Sequence, residues 1–118
     1  MLDALYWGSV AALFTHELDA VKRHEWRVLP LTSFLPERTG GQVFIWIHVP
    51  LFFLILQFSR TEPESGFRMG VATFAVVHVG LHRAFRRHPR YEFNNASSWA
   101  LILLAGALGA AYVVAAMA

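Results

Sequence analysis

Six histidines and a small set of acids are the residues in this chain whose types and spacing point to chemistry. His78 and His82 stand four apart near the end of an apolar stretch, which puts two imidazoles one helical turn apart on one face. His16 is followed at once by Glu17 and then Asp19, and His48 lies two residues before Pro50 inside another apolar stretch. Imidazole in an apolar segment is costly to leave unpartnered, so it faces a partner, a cavity or a metal. Neutral imidazole is the commonest protein ligand for metals, and carboxylates share zinc and iron sites with it. A first site would draw on His16, His48, His78 and His82, with Glu17 or Asp19 as a further ligand or as the group that orients an imidazole N–H. His24 and His88, with Glu92, would allow a second ion. The cofactor expected is therefore a divalent metal, zinc or iron, as one ion or two, with haem held by two of the histidines as the alternative. Against each stands a plainer reading. A His pair at i, i+4 is common in helices, His48 alone would serve as interhelical glue, and Asp19 with Arg23 at i, i+4 is an obvious ion pair.

Helices have to carry these residues, and composition says in what solvent. The chain is 118 residues, one domain by length, with 56% hydrophobic residues and a mean hydropathy of +0.43. That is above the roughly 45–50% apolar fraction of soluble domains. Four apolar blocks account for the excess. The expected fold is all-α: an integral membrane four-helix bundle forming a single transmembrane domain over 1–118, with helices at about 2–25, 41–60, 66–87 and 96–117. The first block, Ala4 to Phe14, is too short to cross a core of about 30 Å, so its helix must run on through THELDAVKRHEW and take His16, Glu17 and Asp19 into the membrane. In RVLPLTSFLPERTGG, Pro30, Pro36, Gly40 and Gly41 read as helix breakers around an interfacial segment. A short RTEPESG turn joins the second and third helices. Pro50 should kink the second, and Asn95 or Ser97 should cap the fourth. The fourth carries Ala105, Gly106, Gly109 and Ala110 for close packing. Trp26, Tyr91 and Trp99 read as interface residues.

Charge orients the bundle. Eight basic residues (Lys22, Arg23, Arg27, Arg38, Arg83, Arg86, Arg87 and Arg90) follow helices one and three, against Arg60 and Arg68 on the other side. The positive-inside rule then puts both termini on the non-cytoplasmic side. In that orientation His16, His48 and His78 each lie about 10–12 Å along a helix from its basic end, so three helices offer imidazole at one depth. The basic residues flank apolar blocks without forming one solvated patch, which favours membrane lipid as partner and speaks against nucleic acid. The absence of cysteine excludes thiolate ligands. The first block lacks the basic region and cleavage site of a signal peptide and reads as retained.

FTHELDAVKRHEWRVLPLT, HVPLF and HRAFRRHPRYEFNNASSWA resemble a small bacterial inner-membrane family of unknown function, similar in style to the HXXEE proteins. His16 is followed here by Glu17, Leu18, Asp19 and Ala20, where that motif has paired glutamates. The resemblance implies four membrane helices and a multi-pass protein of the bacterial cytoplasmic membrane. The chain is also similar to membrane di-iron hydroxylases in its HxxxH pair at a helix end, and to intramembrane zinc hydrolases of the ceramidase and progestin-receptor type in combining that pair with another His and an acid. These likenesses imply a hydrolase or an oxidase acting on a lipid-like substrate, with His78, His82 and His16 or His48 on the metal and Asp19 or Glu17 as the catalytic base that takes a proton from bound water. Whether the chain is an enzyme stays open at this point. The alternatives are a non-catalytic accessory subunit, docked on a larger membrane protein or on its own copies, and a b-type haem protein.

Overall fold

The computed structural model describes residues 1–61 and 66–118. It holds four long helices: α1 (Leu2–Lys22), α2 (Glu37–Thr61), α3 (Gly66–Phe85) and α4 (Ala96–Met117), and among the described residues there are no strands. Each is about 30 Å long or more at 1.5 Å per residue. Glu62 to Ser65, most of the turn expected between α2 and α3, lie outside the described residues.

The fourth helix organises the bundle, and its small residues are the reason. An added Cβ at Gly106 would stand 2.5 Å from Val79 Cγ2, and one at Gly109 would stand 2.7 Å from the Ala72 carbonyl oxygen. With no side chain at these points α3 comes close enough for backbone and side chain to touch. On the other side Ser9 Oγ of α1 donates to the Ala105 carbonyl at 2.9 Å. Ala12, Leu13, Ala75 and Ala105 make the middle of this packing. Asn95 caps α4 by accepting from the Ser98 N–H, as expected from its position.

The start of α2 corrects the sequence reading. Gly40 and Gly41 do not break the helix; they lie inside it, and α2 begins at Glu37. A Cβ at either would meet the Trp26 indole at 3.1 Å, so the glycines make a seat for that ring. Trp26 is correspondingly buried, in a cluster with Val28, Phe44, Tyr91 and Phe93. Tyr91 is buried there too, and Trp99 packs against the same cluster. The first helix also stops earlier than expected. It ends at Lys22, His24 takes a left-handed conformation (φ 56°, ψ 47°), and Glu25–Arg27 forms one turn of 3-10 helix.

At the other end of the bundle Arg68 is buried, although its charge had marked it as a flanking surface residue. Its Nη1 donates to Asp3, its Nε donates to the Ser59 carbonyl at 2.8 Å, and its guanidinium lies 4.9 Å from the Tyr6 ring centroid. Tyr6 and Ser59 share a hydrogen bond between hydroxyls. One arginine thus ties α1, α2 and α3 together.

Candidate metal centre

The left-handed His24 reverses the chain after α1, and the reversal aims Glu25 back at the bundle. A non-glycine residue in this region costs of order 1 kcal/mol and persists only where surrounding contacts hold it. Here His24 Nδ1 lies 2.9 Å from Glu92 Oε2, and Arg27 grips Glu37 at the start of α2 with Nη2 to Oε1 at 2.6 Å. Between these two anchors Glu25 reaches the histidines.

Three imidazoles meet there. The ring centroids of His16 and His78 are 4.7 Å apart, those of His16 and His82 4.9 Å, and those of His78 and His82 4.6 Å, all edge to face. Glu25 Oε1 lies 3.3 Å from His82 Nε2 and 4.0 Å from His16 Nε2. One donor atom from each of His16, Glu25, His78 and His82 falls within 4.8 Å of the others, and among the described residues this is the one group of three or more such donors. Donors around a tetrahedral zinc stand about 3.3 Å apart, so closure asks for under about 1 Å of movement by each side chain.

The hydrogen bonding of the group is incomplete in a telling way. His16 is fully buried, yet neither of its ring nitrogens has a hydrogen-bond partner, and Nδ1 of buried His78 has none either. Buried polar atoms are normally satisfied, and leaving one bare costs on the order of 1–3 kcal/mol. Two buried rings with bare nitrogens, meeting a third imidazole and a carboxylate, are what a cation would help to satisfy, each ring giving it one nitrogen.

His82 is the best oriented of the three. Its Nδ1 lies 2.9 Å from the Tyr91 hydroxyl, which leaves Nε2 facing Glu25 and the other rings. Burial pushes the Tyr91 phenol up to about 12, so it remains a neutral hydroxyl that can accept the Nδ1 proton. Partners of this kind fix the tautomer of a ligating histidine, and losing one costs about 10–100-fold in metal affinity. Tyr91→Phe should therefore weaken metal binding by about that factor with the helical content unchanged, measured by competition with a chromophoric chelator.

The other sequence candidates lie elsewhere. His48 Nε2 is 2.9 Å from Glu17 Oε2, and its Nδ1 bonds the Phe44 carbonyl. Shared depth thus put His48 near the cluster without joining it, because its position on α2 turns it to Glu17. Asp19 accepts from Arg23 Nε at 3.3 Å and from the Ser98 hydroxyl, which makes it a link between α1 and α4. His24 does meet Glu92, but Arg27 Nη1 also lies 3.5 Å from that carboxylate, and His88 Nδ1 is occupied by the Arg90 N–H at 3.1 Å. Glu25 was missed by the sequence reading. Nothing in its local pattern marks it, since it comes to the site through the left-handed turn at His24.

A family model described as a family of unknown function, DUF6713, matches residues 2–118. The chain belongs to that family. Neither a curated protein nor a solved structure matches it. DUF6713 membership brings no activity with it and leaves the chemistry to be argued from the site.

A pocket of about 70 Å³ adjoins the cluster, bounded by Glu25, His78, His82, Tyr91 and Phe93 among others. That is room for about two waters at roughly 30 Å³ each. A porphyrin would need two imidazoles on opposite sides of a flat slot, whereas these rings touch one another.

Proposed function

We propose that this DUF6713 chain is an integral membrane metalloprotein whose ion is held by His16, His78, His82 and Glu25, and that the site performs metal-dependent hydrolysis or oxidation of a lipid-like substrate. The observation that carries the reading is the convergence of three buried imidazoles on one carboxylate, two of the rings having nitrogens without a hydrogen-bond partner. Zinc or ferrous iron suits a set of imidazoles and one carboxylate. The small pocket leaves space at the ion for a water or a substrate oxygen, which a catalytic centre needs and a closed structural site lacks. Of the two acids first considered, Glu17 is the better proton handler, because its partner His48 can itself take up and release a proton, whereas Asp19 is engaged by Arg23, which cannot, and by Ser98.

Membrane insertion is supported by surface and length. α2 and α4 are long and apolar enough to cross a bilayer. Trp46, Phe53 and Val49 on α2, Phe74 and Val77 on α3, and Leu103 and Val114 on α4 are all at least half exposed, more apolar surface than a soluble monomer leaves open. The molecule is 44 Å along its longest axis, which matches a bilayer with its headgroups, about 40–45 Å. The metal end carries Arg83, Arg86, Arg87 and Arg90, so it lies on the cytoplasmic side of what we read as a bacterial inner membrane, with both termini opposite.

The accessory-subunit alternative needs a docking face on another protein, and the small-residue face of α4 is already taken up by α1 and α3. Elemental analysis and an absorption spectrum of detergent-purified protein test the reading. About one zinc or iron per chain and no haem band is the expected result, and metal-free protein would overturn it. For orientation, a cysteine placed at Arg87 should be blocked only by a membrane-permeant thiol reagent; labelling of intact cells by an impermeant one would reverse the topology.

A further inference from the structure

A groove of about 440 Å³ runs between α1, α2 and α3, and its walls are Val10, Phe14, Leu51, Phe52, Val71 and Phe74 with a few like them. Glu17 is the one charged residue in that wall. The groove ends beside the metal centre, since the Phe74 ring is 5.5 Å from that of His78, and Glu17 follows His16 in the chain.

Glu17 is paired with His48 of α2. The Phe44 carbonyl can only accept, so His48 Nδ1 carries a hydrogen. His48 Nε2 and Glu17 Oε2 stand 2.9 Å apart, within hydrogen-bond distance. The pair puts a carboxylate oxygen and an imidazole together at one point of an apolar wall.

We infer that the groove is the substrate site of the metal centre and takes a single-chain amphiphile, its hydrocarbon along the three helices and a hydroxyl or amide head at Glu17 and His48. This rests on the metalloprotein reading and adds the substrate class to it. The volume falls in the usual range for small-molecule pockets, about 300–1,000 Å³. Its length suits a chain: Val10 and Glu17, both in the wall, are seven residues apart on α1, about 10 Å of helix. The neighbouring outward faces of α2 and α3 are apolar, with Leu51, Leu54 and Phe74 close to half exposed or more, so the mouth opens sideways toward lipid and the occupant enters without crossing water. A carboxylate in that wall selects a donor head over an anionic one.

The probe is a long-chain N-alkyl amide carrying a photoactivatable diazirine midway along its chain, added to detergent-purified protein, with the labelled residues read by mass spectrometry and metal measured on the same sample. Labelling should fall on α2 and α3 residues of the groove and be displaced by excess unlabelled amide but far less by the matching fatty acid. Gly70→Leu is the test variant, because Gly70 lines the groove and a Cβ there meets nothing within 4 Å, so the larger side chain fills the groove without disturbing the fold. It should cut labelling at least about tenfold and leave the metal content unchanged. Glu17→Gln, which keeps the size and removes the acid, should abolish the preference for the amide over the fatty acid. Labelling that survives Gly70→Leu, or that joins two copies of the chain across the groove, overturns the substrate assignment. Groove labelling in metal-free protein would leave the groove standing and defeat the metal reading, whereas bound metal with no groove labelling would do the reverse.

Discussion

The double variant His78→Ala, His82→Ala should retain less than about a tenth of an ion per chain where the wild type holds about one, because it removes two of four donors. His48→Ala and His88→Ala should keep the full complement. His48 faces Glu17 and His88 faces the Arg90 N–H, so neither supplies a donor to the group. Glu25→Gln should fall between, since an amide oxygen can still coordinate but without the charge. The same ion should stabilise the bundle. A ligand present at about 1,000 times its Kd adds about 4 kcal/mol to the folded state, so a chelator should lower the wild-type melting temperature and leave that of the double variant where it was. Metal bound equally by both proteins would show that the ion sits elsewhere.

The largest effect on stability should come from Gly109. Its missing Cβ would lie 2.7 Å from a backbone oxygen of α3 and 3.1 Å from Ala75 Cβ, atoms that cannot turn aside, and 3.3 Å from Ser9 Oγ. Gly109→Ala should destabilise by about 1–3 kcal/mol and Gly109→Val by more, read as thermal unfolding in one detergent. Gly80→Ala is the same chemical change on exposed α3, where a Cβ meets nothing within 4 Å. There alanine's better helix propensity should stabilise by up to about 1 kcal/mol. Opposite signs from one substitution type would place the cost in the contact between α3 and α4. A neutral Gly109→Ala would mean that the helices separate easily at that point.

Much of this was legible in the residues themselves. An apolar block with a histidine near its end needs only the period of a helix to be placed, so the four helices and the pairing of His78 with His82 follow from local pattern. The charge asymmetry between connections is equally local, and so is the Asn95 cap. What failed was reading single residue types without their neighbours in space. Gly40 and Gly41 carry the ordinary signature of a break, yet Trp26 turns them into a seat within a helix. Arg68 looks like a surface charge, yet Asp3, Ser59 and two aromatic rings take it inside.

The candidate site divides in the same way. From sequence alone came the kinds of donor and their depth along three helices, because rise per residue is constant along a helix. Rotation about each helix axis is not determined by depth, and rotation is what sends His16, His78 and His82 to one point and His48 to Glu17. It is set by which faces pack, and here that follows from the small residues of α4 drawing α1 and α3 together while α2 stands off around a groove. Glu25 belongs wholly to the tertiary structure. It enters through one left-handed residue held by a distant glutamate, a contact 68 residues away along the chain that no local pattern encodes.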